Sequence, residues 1–191
     1  MDAGAKRDGR RLARAGRSAI SADQRRSASE LICAQIISSA RFVSASFVAT
    51  YVPMEIEVDV WPITRSALAM GKRVALPLIV GDGLMEFSEV LLDDLDLLVP
   101  DAFGIGTPSI VRIVPPGLLD LIVVPLVGVD RFGNRIGGGK GYYDRKLSLE
   151  RQADLVGVAF DAQLVPRFEP DPWDVALPAV VTESGSVVGS I

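Results

Sequence analysis

Hydrophobic and polar positions along this chain switch between a helical and a strand-like period. Ala28, Leu31, Ile32 and Ile36 recur at helical spacing, which predicts an amphipathic helix over 22–39. Ser21-Ala22-Asp23-Gln24 has the spacing of a capping box at its start: the Ser hydroxyl can accept the Gln24 amide while the Gln24 side chain reaches back. Lys6–Arg17 is also predicted as helix but is polar nearly all round, so it needs partners or a ligand to be ordered. From Phe47 the texture changes. Phe47–Val52 is a β-rich run stopped by Pro53, and Val58–Met70 reads as a helix closed by Gly71-Lys72. Val74–Val80 is a second strand, ended by Gly81-Asp82-Gly83, and Leu84–Val90 a third. Leu118–Pro125 is almost continuously apolar, as a strand covered on both faces must be. Gly141–Leu149 fits a helix, Leu155–Phe160 a buried strand, Val165–Pro178 a proline-rich loop and Ala179–Thr182 a last short strand. Strands alternating with helices imply a three-layer α/β/α fold with a central, largely parallel sheet. Without a repeat or low-complexity linker, residues 1–191 read as one domain with a basic helical arm over about 1–20.

The densest local signal is the segment Asp130–Arg145, which follows the buried strand and precedes a helix. In α/β sheets, ligands gather beyond the carboxyl ends of strands. Gly137, Gly138, Gly139 and Gly141 let backbone amides approach a ligand, and the helix start beyond adds free N–H groups. Lys140 lies inside the loop and Arg135 and Arg145 flank it, the composition needed to hold phosphate oxygens. Neither common phosphate loop fits. A Walker A loop needs Gly where Asn134 stands and Ser or Thr where Gly141 stands, and a dinucleotide fingerprint needs Gly where Tyr142 stands. A glycine-rich turn without a ligand is the plainer account of glycines alone. The interleaved Arg, Lys, Tyr-Tyr and Asp argue for a ligand. Asp144 and Asp174 are hard oxygen donors of the kind Mg²⁺ shares with substrate phosphates. Glu55, Glu57 and Asp59 read most simply as a helix N-terminus, and Trp61 and Trp173 as packing residues.

Composition then narrows the chemistry. Hydrophobic residues are 49% and charged residues 23% of 191, which excludes a disordered chain. There is no histidine, so Ser-His-Asp and Cys-His catalysis, imidazole metal ligands and imidazole proton shuttles are excluded. The one cysteine, Cys33, excludes an intrachain disulfide and a thiolate zinc site, and suits a reducing cytoplasm. The net charge of −4 is uneven: residues 1–30 carry eight Lys/Arg against four Asp/Glu, the remainder twelve against twenty. A basic arm on an acidic body argues against general nucleic-acid binding but allows a local anion site. The plainer account of the arm is a solvated basic helix. The longest apolar stretch, Leu118–Val129, is interrupted by Asp120 and is too short to span a membrane. An Arg-rich start resembles a transit peptide only in part, since Asp2 and Asp8 oppose it; a cytoplasmic protein is expected.

The segment Arg135-Ile-Gly-Gly-Gly-Lys-Gly-Tyr-Tyr-Asp144 resembles the strongest signature of the 5-formyltetrahydrofolate cyclo-ligase family, with one conservative change. Weaker elements follow in the family's order: Lys6-x-x-x-Arg10 with Arg17 and Ile20-Ser21, then Glu57-Val-Asp59, Gly71–Pro77, Phe103-Gly-Ile105 to Pro108, Val156–Asp161 and Val181-Thr-Glu183. The resemblance covers nearly the whole chain. It implies an enzyme that uses ATP and Mg²⁺ to convert 5-formyltetrahydrofolate, with or without a polyglutamate tail, into 5,10-methenyltetrahydrofolate. The formyl oxygen is phosphorylated, N10 closes the ring and phosphate leaves. It further implies that Lys6 and Arg10, on the arm, bind nucleotide phosphates. Arg135, Gly137, Gly138, Gly139, Lys140, Gly141, Tyr142 and Tyr143 would wrap the phosphates and the reacting group, with Lys140, Arg135 and Tyr143 catalytic. Val52, Glu57 and Phe103 would contact folate, and Asp144 and Asp174 would hold the metal. Such a protein is expected to be monomeric, with no nucleic-acid or membrane partner.

Three departures stand out. Trp173 replaces a His that relatives keep before the C-terminal Asp, Gly138 replaces a larger residue, and Gly9 replaces an apolar residue in the first helix, a change costing up to ~1 kcal/mol. The alternatives are a nucleotide- and folate-binding protein without turnover, or a different enzyme on a similar scaffold, such as a sugar-phosphate isomerase or acyl-CoA transferase. Neither enzyme of the second kind would need the Lys-Arg arm or the Tyr-Tyr-Asp.

Overall fold

The structure, a computed structural model, describes residues 3–81, 84–150 and 152–191. The chain begins with α1 (Ala3–Ala19), α2 (Ala22–Ser38) and the short α3 (Ala40–Ser44). Strand β1 (Phe47–Ala49), helix α4 (Trp61–Ala69) and the hairpin β2 (Arg73–Val80) and β3 (Leu84–Val90) follow. After a 3-10 turn come two small ribbons, β4 (Val99–Pro100) with β5 (Gly106–Thr107), and β7 (Gly128–Val129) with β8 (Arg135–Ile136). Between the ribbons runs β6 (Leu121–Pro125). Helix α5 (Tyr142–Leu147), β9 (Asp154–Val158), β10 (Ala179–Thr182) and β11 (Gly185–Val188) complete the chain.

Among the described residues the main sheet has seven strands in the order β11-β10-β9-β6-β1-β2-β3. The five inner strands run parallel, and both edge strands pair antiparallel. The fold is therefore α/β with a mostly parallel sheet, as expected. One face is covered by α2, α3 and α4, whose Ile32, Ile36, Phe42 and Ile63 pack on Val48, Leu76, Val123 and Val156. The other face carries thinner cover: Leu147 of α5 with Val114, Leu119 and Leu177 from irregular chain, against Phe47, Ile122 and Val180. From β1 the chain winds outward to β2 and β3; from β6 it winds the other way to β9 and β10. The crevice beyond the carboxyl ends of β1 and β6 is the switch point where such sheets bind ligands.

Most predicted elements are present with shifted ends. The capping box at α2 is formed, with Ser21 Oγ accepting from Gln24 N at 3.3 Å and Gln24 Oε1 from Ser21 N at 3.0 Å. The first strand ends at Ala49, although Thr50 N still donates to Ala75 O at 3.0 Å. The helix expected from Val58 begins at Trp61. Glu57 N closes a turn onto Met54 O instead, Val58 and Val60 enter the core in non-helical conformation, and Pro62 sits in the first turn, where its missing N–H costs nothing. So Glu55, Glu57 and Asp59 lie in a turn and an extended segment, not at a helix N-terminus; only Asp59 caps, accepting from Trp61 N at 3.0 Å. The Leu118–Pro125 run is strand only from Leu121, since Leu118 is exposed. Asp82 and Gly83, assigned above to the strand end, lie outside the described residues.

Helix α1 is not a solvated arm. Its Gly9, Ala13 and Gly16 form a seam of small residues. A Cβ on Gly9 would sit 2.9 Å from Ile136 Cδ1, and one on Gly16 would sit 2.3 Å from the Ala162 carbonyl oxygen. Ala13 is fully buried and stands where Gly128 leaves room. Gly9, read above as a loosened position, is thus the residue that lets the helix approach β8.

Candidate functional site

A cleft of about 1330 Å³ opens at the carboxyl ends of β1, β2 and β6. Its floor is Tyr51, Val52, Pro77, Ile79, Met85 and Pro125, and its rims come from α1, the 137–141 loop, the 169–175 segment and the 101–107 turn. Every residue nominated from the sequence lines it: Lys6, Arg10, Val52, Glu57, Phe103, Arg135, Gly137, Gly138, Gly139, Lys140, Gly141, Tyr142, Tyr143, Asp144 and Asp174.

One end of the cleft is a lattice of cations and carboxylates. Lys6 Nζ donates to Asp171 Oδ2 at 2.8 Å and to Asp174 Oδ2. Burial opposes the ammonium charge, but the two hydrogen bonds and the two carboxylate charges outweigh it and raise the Lys6 pKa. Asp174 Oδ2 also accepts from Asp171 N at 2.8 Å, which closes the turn that presents both acids. Arg10 Nε reaches Gly137 O at 3.4 Å, so α1 touches the glycine loop directly. Buried Arg135 donates to Asp144 Oδ1, which also accepts from Val175 N at 3.3 Å. Asp144 and Asp174 therefore share one rim although thirty residues separate them.

The loop itself is fixed at both ends. Before it, β8 pairs with β7, and the buried Asp130 accepts from the backbone of Phe132 and Asn134. After it, buried Lys146 ties α5 to β3 through Glu86 at 2.6 Å and to Glu150 at 3.2 Å. In between, Gly139 and Gly141 have φ of 102° and 66°, and a Cβ on Gly138 or Gly139 would meet nothing within 4 Å. The glycines at 138 and 139 thus leave space for a ligand and not for a neighbour. With only six residues, α5 adds little dipole, so the anion-binding groups are the loop amides and the side-chain cations.

The other end is drier. Glu57 accepts from Met54 N at 3.1 Å, and Arg17 Nη1 stands 3.8 Å from its other oxygen. Burial raises the Glu57 pKa, against the Met54 hydrogen bond and the Arg17 charge. The Tyr143 hydroxyl is buried without a hydrogen-bond partner. Burial, and then the Glu57 charge, push its pKa up, with Arg135 opposing. Tyr51 donates to Val58 O at 2.9 Å behind them.

Three residues at the site were given no site role from the sequence. Arg17 was read only as part of the family-like N-terminal element, yet Lys6, Arg10, Ala13 and Arg17 are spaced as one helical face. Asp171 precedes Asp174 by three, a turn spacing. Trp173, assigned above to packing, is 66% exposed on the rim: it is flanked by two acids that turn inward, which leaves its indole facing out.

The donor set fits the groups that the sequence implies. Six cationic side chains line the cleft, Lys6, Arg7, Arg10, Arg135, Lys140 and Arg145, and with the loop amides they suit a polyphosphate. Among the described residues no group of three or more Cys, Asp or Glu could hold a metal ion alone. That suits Mg²⁺, which commonly takes one or two carboxylates and completes its shell with phosphate and water. Asp144 and Asp174, both on the rim of the cleft, would be those carboxylates.

A phosphate-type loop meeting an apolar floor at the switch point of a parallel sheet defines a class, the α/β enzymes that act on a bulky organic substrate with an anionic co-substrate. The sequence model described as the 5-formyltetrahydrofolate cyclo-ligase family matches residues 2–183, and the chain belongs to that family. It is 31% identical over 177 residues to a 5-formyltetrahydrofolate cyclo-ligase of Escherichia coli K12, covering 91% of this chain and 97% of the relative. It is 27% identical over 182 residues to the mouse enzyme of the same name, covering 86% and 87%. Among solved structures, the 5,10-methenyltetrahydrofolate synthetase of Aquifex aeolicus superposes with a TM-score of 0.82 at 34% identity, covering 95% of this chain and 91% of that one. That of Mycoplasma pneumoniae superposes with 0.76 at 25% identity, covering 96% and 99%. Among the described residues no helix is long and apolar enough to cross a membrane.

Proposed function

We propose that this chain catalyses the ATP- and Mg²⁺-dependent cyclisation of 5-formyltetrahydrofolate to 5,10-methenyltetrahydrofolate. The observation that carries the reading is the convergence of residues 6, 10, 52, 57, 103, 135–144 and 174 on one cleft at the switch point. Bound Mg-ATP would supply a phosphoryl group that makes the formyl oxygen a leaving group; N10 then bonds to the formyl carbon, its proton passes to water, and phosphate departs with that oxygen. The residues position and neutralise, which is most of what phosphoryl transfer requires. Lys6, Arg10, Arg135 and Lys140 hold phosphate oxygens, with the amides of 137–141 behind them. Asp144 and Asp174 would hold the metal, and Lys6, which donates to Asp171 and Asp174, balances the acid charge on that rim. Tyr143, kept protonated by its raised pKa, donates to the reacting oxygen and does not act as a base at neutral pH. Glu57 accepts N–H groups of the folate ring, and Val52 and Phe103 cover its faces. The first helix packs over the nucleotide as part of one domain. The reading includes a cytoplasmic monomer, in keeping with a single buried thiol.

The test is turnover. Purified protein with Mg-ATP and 5-formyltetrahydrofolate is expected to give the absorbance of the methenyl product with one ADP for each ring closed. Absence of both product and ADP sinks the reading, and folate binding without product leaves a binding protein. In the same assay, Lys140→Ala and Arg10→Ala are expected to raise the KM for ATP about ten- to a hundredfold, the value of a charge-assisted contact, and to change folate binding far less. Equal loss of both would remove these residues from the nucleotide site.

A further inference from the structure

Arg17 is the largest expense of polar burial in α1. Its side chain is 7% exposed, yet Nε and Nη1 have no hydrogen-bond partner. Its counter-charge is Glu57, at 3.8 Å, close enough for attraction and too far for a hydrogen bond. Burial lowers its pKa, against the Glu57 charge, and Arg14 on the same helix adds to the lowering. A buried guanidinium placed for shape alone would be better replaced by an apolar residue. What distinguishes Arg17 is its position. The small-residue seam of Gly9, Ala13 and Gly16 seats α1 closely against β7, β8 and the 161–163 turn. At its start Lys6 and Arg10 face the glycine loop and the two acids; two to three turns later Arg17 faces Glu57.

We propose that Arg17 is a positioning residue for the folate: it holds the Glu57 carboxylate charged and aimed into the cleft, and it links the seating of α1 on the nucleotide phosphates to folate binding. This rests on the assignment of Glu57 to folate and of Lys6 and Arg10 to ATP. Other charged or titratable groups near Glu57 are Tyr51 behind it, Tyr143 from α5, and Arg25, Arg26, Glu30, Glu55 and Asp59, with which it shares a shallow hollow on the outer side. Of these ionisable groups Arg17 alone makes an ion pair with it among the described residues. Removing Arg17 leaves burial opposed by the Met54 hydrogen bond alone and moves Glu57 toward its neutral form, a weaker acceptor for the ring N–H groups.

The test is calorimetric titration of 5-formyltetrahydrofolate into the full chain between about pH 5.5 and 8.5, with and without a non-hydrolysable ATP analogue and Mg²⁺. In the wild type, binding is expected to strengthen with pH as Glu57 ionises, and to strengthen again with the analogue. Arg17→Met and Arg17→Gln are expected to weaken binding at neutral pH about tenfold, shift the rise to higher pH and abolish the gain from the analogue. Arg17→Lys restores most of all three. In a Glu57→Gln background, Arg17→Gln changes folate binding by less than about twofold, because the two act as a unit. If Arg17→Met does not fold, Arg17→Gln, which keeps polar groups at the position, gives the same readout. Folate binding by the wild type with an unmoved pH curve in Arg17→Gln overturns this proposal alone, as does an undiminished effect of Arg17→Gln when Glu57 is Gln. A wild-type chain that binds no folate overturns the functional reading, and this proposal with it.

Discussion

The two ends of the cleft solve the problem of holding charge in opposite ways. At the end formed by Lys6, Arg135, Asp144, Asp171 and Asp174, every named cation has a carboxylate within hydrogen-bond reach, although Arg135 Nε is itself buried without a partner. At the end formed by Arg17, Glu57 and Tyr143, the charges are burial-stressed and the hydroxyl has no partner. The first arrangement is stable while empty, and a ligand must exchange into it. The second stores cost in the fold, and a ligand relieves it. A region that binds phosphates and a metal can rest on internal ion pairs, since each partner is a fair stand-in for the ligand. A region that reads neutral ring N–H groups has no such stand-in.

The largest expected effect breaks the paired end. Asp144→Ala leaves Arg135, buried in the folded chain, with no counter-charge and takes away an acceptor for Val175 N. Removing one partner of a buried pair costs about 3 kcal/mol, so the midpoint of chemical unfolding should fall clearly. Turnover should fall about a hundredfold or more through the lost metal carboxylate and the loosened Arg135. A variant as stable as the wild type would show that the pair contributes nothing to the fold; unchanged turnover would remove Asp144 from the site.

The opposite sign is expected at the stressed end. The folded-state pKa of Glu57 lies above the ordinary 4.5, first because of burial, so protonation favours the fold. Its stabilising contribution is complete below the unfolded value and is lost as pH rises through the raised folded value. Glu57→Gln, which keeps an acceptor for Met54 N, should therefore melt a few degrees above the wild type at pH 7. It should match the wild type near pH 4, while losing folate affinity. A lower melting temperature at pH 7 would mean that the Arg17 pair, not burial, dominates the balance.

The same contrast explains what could be read from the sequence. The glycine loop, Asp144 and the strands were legible because they rest on strong local signals: a run of glycines with interleaved charges, apolar runs, and a capping box that formed as spaced. The seating of α1 was not, because its buried face is Gly9, Ala13 and Gly16. Small residues give no apolar stripe, and their role shows only against Ile136 and Ala162, brought in from far along the chain. Arg17 looked solvated for the same reason, since nothing local says which Arg on a polar helix is inside. Val58–Val60 read as helix because hydrophobic spacing cannot distinguish a helix start from buried extended chain when Pro62 follows. The two-residue ribbons are too short to carry a period at all, and the edge strand β11, as short as β10, opens on Gly185-Ser186 and so lacks its apolar run.

The smallest expected effect sharpens the boundary between the two ends at the loop that joins them. Gly138 has an ordinary backbone conformation and open space where a Cβ would go, whereas Gly139 has equal space but a φ of 102°. Gly138→Ala should therefore leave stability within about 0.5 kcal/mol of the wild type, and Gly139→Ala should cost about 1 kcal/mol or more through backbone strain. Their effect on the KM for ATP separates conformation from contact. If the amide at 138 only approaches phosphate, an added methyl costs less than about threefold, since the group lies beside the contact and leaves the N–H in place. If Gly138→Ala instead raises the KM for ATP more than Gly139→Ala does, the open space at 138 is where the phosphate itself sits. The loop is then the part of the phosphate end that stays open for a ligand, beside cations that are paired without one.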